Sequence, residues 1–187
     1  MFIRNILNTM PFIALAVAIA AALGGGATLA ANNSLPGDAL WSYKVHVNEG
    51  LRTTFAGSAE AKADTHIDAI RARVQETERV AAEGRLTAQA NASISANFDF
   101  HTQAVAEAIA KLEAKGNYDA AADVAARYQA AVAAHAAALA QAQARAEADA
   151  SSDVDLSPLI LKVRTALDEA SEMSAEASAN AAVEVSL

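Results

Sequence analysis

From residue 39 to residue 55 the apolar side chains fall at Leu40, Trp41, Tyr43, Val47, Leu51 and Phe55. Steps of three and four put most of them on one stripe and predict an amphipathic helix, with Asp38 placed to cap it. Ala56-Gly57 stops that helix. Ser58 is the expected cap of a second, over 59–83, whose seam Ala63, Ile67, Ile70, Val74, Thr77 and Ala81 has a heptad-like 4-3-4-3-4 spacing. Its charged residues, Arg73 and Glu76 among them, are assigned to the outer faces. Beyond Gly84, Thr87 caps a third helix with the stripe Ile94, Phe98, His101, Val105, Ile109 and Leu112, ended by Gly116-Asn117. A fourth runs from Tyr118 to about Ala150, roughly 45 Å long. Its stripe of Val124, Tyr128, Val132, His135 and Leu139 is thin and set in alanine, which predicts the least firmly packed helix. After the polar stretch 151–155, Ser157 is the expected cap, with Pro158 in the first turn, of a last helix with Leu159, Ile160, Val163, Leu167 and Met173 on one side. The chain beyond Ser174 reads as a frayed tail. The prediction is an all-α antiparallel bundle of about five long amphipathic helices.

The first thirty residues break this pattern. Met10 to Ala31 contains no charged side chain, follows Arg4, and ends in small residues, Gly24-Gly25-Gly26-Ala27-Thr28-Leu29-Ala30-Ala31. That is the form of a secretory signal, with Thr28 and Ala30 as the small residues before a cut. It is also long enough to stay in a bilayer as an anchor, although alanine and glycine insert weakly. Either way the rest is expected outside the cytoplasmic membrane, in the periplasm, at the cell surface or secreted. The predicted division is 1–30 signal or anchor, 31–150 a four-helix domain, and 151–187 a C-terminal helix with its tail.

Composition narrows the partners. About fifty alanines and 5% aromatics favour helix over sheet. Fourteen basic against 22 acidic residues, a formal charge of −8, argue against nucleic acid and anionic lipid surfaces. Membrane contact is therefore expected only through residues 10–31, if they are retained. The chain has no cysteine, so disulfides and thiol chemistry are absent.

Candidate chemistry is sparse. No HExxH, no GxSxG elbow and no phosphate loop occurs. Histidine beside carboxylate can bind zinc or copper, which makes His66, His101 and His135 the candidate ligands. Asp64 and Asp68 flank His66, Asp99 lies near His101, and His101 and His135 sit on stripes that might face each other. The plainer reading is packed or solvent-edge histidine. No cofactor and no catalytic residue is expected. Trp41, Tyr43 and Phe55 form the densest apolar patch, expected in the core first and as a partner anchor second.

Two segments, Leu35-Pro36-Gly37-Asp38-x-Leu40-Trp41-x-x-Lys44 with Asn48-Glu49, and Ser58-Ala59-Glu60-Ala61-Lys62-Ala63, His66 and Ala69-Ile70-x-x-Arg73-Val74-x-Glu76, together resemble a bacterial extracytoplasmic domain family of unknown function. The resemblance covers about residues 35–115. Tryptophan stands where the family has tyrosine, alanine follows Ser58 in place of proline, and valine follows Arg73 in place of leucine. It implies export, with or without a single anchor, and an all-helical fold, and supplies no ligand or activity. On physical grounds Lys44 and Glu49 are placed to pair with the second helix. The resulting expectation is a non-enzymatic cell-envelope module that binds protein, either itself or an envelope partner. The alternative is a sensor or chaperone-like binder with a histidine-based metal or pH response.

Overall fold

The computed structural model describes residues 29–148 and 155–184, and no strand occurs among them. The signal or anchor expectation falls almost entirely on residues outside this range. After a turn at Pro36-Gly37, where Gly37 has φ +99°, the first helix α1 (41–55) is assembled from Trp41–Tyr43, a π-helical stretch Lys44–Glu49, and Gly50–Phe55. Four long helices follow: α2 (Ala59–Ala82), α3 (Ala88–Glu113), α4 (Tyr118–Ala148) and α5 (Ser157–Glu184).

Most boundaries follow local chemistry. The Ser58 hydroxyl accepts from the Ala61 amide at 3.0 Å and that of Thr87 from Ala90 at 3.1 Å, both as N-caps. Two expected caps act differently. Asp38 closes the preceding turn by accepting from the Leu35 amide at 2.8 Å and pairs with Arg85, so α1 starts without a side-chain cap. At α5 the Asp155 carboxylate, rather than Ser157, takes the cap by accepting from the Ser157 amide at 2.8 Å.

The helix directions follow from the polar pairs that join them. His66 meets His101 and Arg73 meets Asn97, so α2 and α3 run antiparallel. Gln129 bonds Ser171 and Gln143 bonds the Leu156 amide, so α4 and α5 do too. Lys162 reaches Ser95 and Asp99 while Asn180 reaches Glu113, which makes α3 and α5 parallel. The core between them holds Ile67, Ile70, Ile94, Phe98, Val105, Val124, Val132, Leu139 and Val163.

Two expectations about packing are corrected. The alanine-set α4 is the central helix, packed against α2, α3 and α5, with Ala121, Ala125, Ala131, Ala138 and Ala142 buried. Small side chains bury little area each, but they bring neighbouring backbones close enough for dense packing along the whole length. The stretch beyond Ser174 is likewise helical to Glu184, seated through the fully buried Ala177. Replacing Ala125, which has no exposed surface, with leucine is expected to cost about 1–3 kcal/mol in urea unfolding, because overpacking here has no void to fill.

Candidate functional site

The π-helical turn of α1 determines what faces α2. In an ordinary α-helix Lys44 and Glu49, five residues apart, would point roughly 140° away from each other. Bonding to the fifth residue instead of the fourth brings such positions over one another, and both side chains turn toward α2. The same change of register rotates the end of the predicted stripe outward. Leu51 is 52% and Phe55 82% exposed, and Leu40, before the turn, is also exposed. Trp41, Tyr43 and Phe55 therefore do not form one buried patch: Trp41 is buried, Tyr43 half-buried and Phe55 in solvent.

Trp41 enters a polar cluster. Its indole Nε1 donates to Oε2 of Glu76 at 2.8 Å, and Lys44 Nζ pairs with Oε1 of the same carboxylate. Arg73, with no exposed surface, binds Glu76 at 3.0 Å, Glu49 at 2.6 Å and the Asn97 side-chain oxygen at 3.0 Å. Its guanidinium lies 5.4 Å from the centre of the Trp41 ring. Two cations and two anions thus close on each other, which is what allows four charges to leave water. The pairing of Lys44 and Glu49 with the second helix is as the sequence suggested; the outer-face placement of Arg73 and Glu76 is corrected.

The cluster continues into a pair of histidines. Nδ1 of His66 and Nδ1 of His101 are 2.9 Å apart, the separation of a hydrogen bond. Nε2 of His101 lies 3.5 Å from Oε2 of Glu49, and each of these buried atoms lacks a hydrogen bond of its own. Burial pushes the Glu49 carboxyl up, but the histidine beside it and the Arg73 charge outweigh that and hold it below its ordinary value. Burial is also the main reason that the His66 pKa falls to about 4, with His101 adding to it and Glu49 opposing. His101 therefore faces His66, not His135. His135 is enclosed in the core, stacked on Phe98 at 4.9 Å, with both ring nitrogens unpartnered.

Above the pair opens a cleft of about 810 Å³ between α1, α2 and α3. Trp41, Glu49, Thr53, Thr54, Phe100 and Ser93 contribute to its walls, His66 and His101 to its polar end, and Lys62 to its lining from α2. That size suits a drug-sized ligand or several side chains of a partner. Phe100, 61% exposed, stands edge-on to both imidazoles, at 5.7 Å from His66 and 5.1 Å from His101. Among the described residues no three histidine, aspartate or glutamate side chains converge to hold a metal ion. No family model matches this chain, and no curated protein or solved structure does either.

Sequence reading named His66, His101 and Trp41 but not the cleft that joins them. Its signal was the pairing potential of Lys44 and Glu49. The π turn that precedes Thr53 and Thr54 has no sequence mark in Val45-His46-Val47-Asn48.

Proposed function

We propose that this chain is a non-enzymatic binding module of the bacterial cell envelope, whose cleft between α1, α2 and α3 receives part of a partner protein. The cleft itself carries the reading: an open, largely apolar space whose lining includes Trp41, Glu49 and Asn97 of the charge-balanced cluster. Exposed Phe100 on its wall and Phe55 at the end of α1 offer the large aromatic area that partner anchors use. The uncharged run from Met10 to Ala31 supports export, and intact mass of the mature protein tests whether it is cut or kept.

A photo-crosslinking residue at Phe100 is expected to give a discrete protein adduct in intact cells, whereas the same group at exposed Arg164 of α5 is expected to give none. Identical adducts from both positions, or none from Phe100, would overturn the binding role of the cleft. The second reading, an envelope sensor, draws on the His66–His101 contact in the cleft. Zinc or copper titration with no heat and no melting shift would remove its metal form.

A further inference from the structure

Resting on that reading of the cleft, we infer that its partner contributes an acidic peptide segment, in which an apolar side chain that enters the cleft is followed by carboxylates that meet Lys62, Lys111 and Lys115. The inference begins with a second hollow, of about 360 Å³, between α2 and α3. It meets the cleft at Lys62 and His66, which belong to both linings. One face of α3 carries the two together: Ala96 and Phe100 in the cleft, then Ala104, Glu107 and Lys111 in the hollow, with Lys115 just past the helix end. Steps of three and four keep these positions in line. From Ala96 to Lys111 the track is about 22 Å long, enough for about seven residues of an extended segment.

The two ends of the track differ in character. The cleft end is walled by Trp41, Val45, Ala96 and Phe100, and Glu49 there is engaged by Arg73. The hollow sets three lysines against Glu107, a local surplus of two positive charges in a chain of net charge −8. His66 adds none at neutral pH, because burial holds its pKa at about 4. Lys111 and Lys115 have a reason within the fold, since cations at the end of α3 complement the helix dipole, and Lys111 also lies 3.8 Å from Glu107. Lys62 has no such reason. It closes the first turn of α2, where the dipole disfavours a cation, and its ammonium has no acidic partner among the described residues. Glu60 and Asp64, two positions to either side, lie on the opposite face and pair with Arg127 of α4. An unpaired cation at the junction of an apolar cleft and a basic hollow complements a segment that brings an apolar side chain and carboxylates together. A lysine-rich segment is repelled.

Selection from a random peptide library on the folded chain tests this, with each selected peptide mapped by its effect on the backbone amide NMR resonances. The expected peptides carry two or more acidic residues next to an aromatic or branched aliphatic one, and shift the amides of Lys62, Phe100 and Lys111. Lys62→Gln is expected to weaken their binding about threefold, and the variant that also carries Lys111→Gln and Lys115→Gln about tenfold or more. Binding to the wild type should weaken in about 0.5 M salt, and much less so in the triple variant. All three lysines are exposed, so the variants keep the fold. Arg164→Gln on α5, exposed and outside both linings, is expected to change nothing. Neutral or basic peptides that map to the cleft, or acidic ones indifferent to the three lysines, overturn the acidic partner and leave the reading of the cleft in place. A selection that yields no peptide shifting the lining amides overturns both, and binding of dodecanoate in that case assigns the track to an acyl chain instead.

Discussion

Replacing Arg73 with methionine is expected to lower the unfolding free energy by about 3–5 kcal/mol, the largest loss of any single substitution considered for this chain. The guanidinium is fully buried and touches Glu49, Glu76 and Asn97 together. Methionine fills a similar volume, so the loss isolates charge from packing. It leaves Glu76 with Lys44 and Glu49 with only the His101 ring 3.5 Å away, at a site where desolvation keeps the repulsion of the two carboxylates strong. Glu76→Gln in the same chain restores the balance of one cation to one anion and is expected to recover about 1–2 kcal/mol. Urea unfolding with an unchanged slope reads both values. A loss below about 1 kcal/mol for the single variant would mean that water already shares these charges.

That cluster also shows where sequence reading stops. The stripes of α3 and α4 were legible because their large side chains all end in the core: Ile94, Phe98, Val105, Val124, Tyr128 and Leu139 are buried as their spacing requires. Arg73 and Glu76 were misplaced because a hydropathy pattern sorts each residue by its own polarity. Their burial depends on partners 24 to 32 positions away that neutralise them. The π turn was invisible for a related reason. Its widened register is held by what Lys44 and Glu49 reach on α2, a tertiary constraint imposed on a local helix. The helical tail of α5 escaped because buried alanines such as Ala170 and Ala177 look the same in sequence as exposed ones. The candidate histidines stand out in the sequence one by one, yet which two meet depended on the relative register of α2 and α3.

Acidification from pH 7 to pH 4 is expected to strip several kcal/mol from the fold, and His135 supplies a separable share of it. Burial, with a smaller contribution from the Arg73 charge, pushes its pKa down to about 4 from the ordinary 6.5. Above pH 6.5 the imidazole is neutral in both folded and unfolded chains and adds no pH dependence. Below 6.5 the unfolded chain gains a proton that the folded core refuses, so stability falls until about pH 4, where the folded state also protonates. Over that window one such histidine removes about 3 kcal/mol. His66, facing His101 with Glu49 beyond it, shifts in the same direction and adds a loss of its own. His135→Leu is expected to change stability at pH 7 by less than about 1.5 kcal/mol, since leucine fits an apolar site beside Phe98. By pH 4.5 the variant should stand about 2–3 kcal/mol above the wild type, read from urea midpoints across the range. Parallel pH profiles for the two proteins would show that water reaches the His135 ring and solvates its charge, which would contradict its enclosure between α3 and α4. A gap between the two profiles that opens only below pH 6.5 and stops widening near pH 4 isolates the enclosed ring, because His66 contributes equally to both proteins and carboxylates such as Glu49 release their contribution further down the scale, as the pH falls through a value below 4.5.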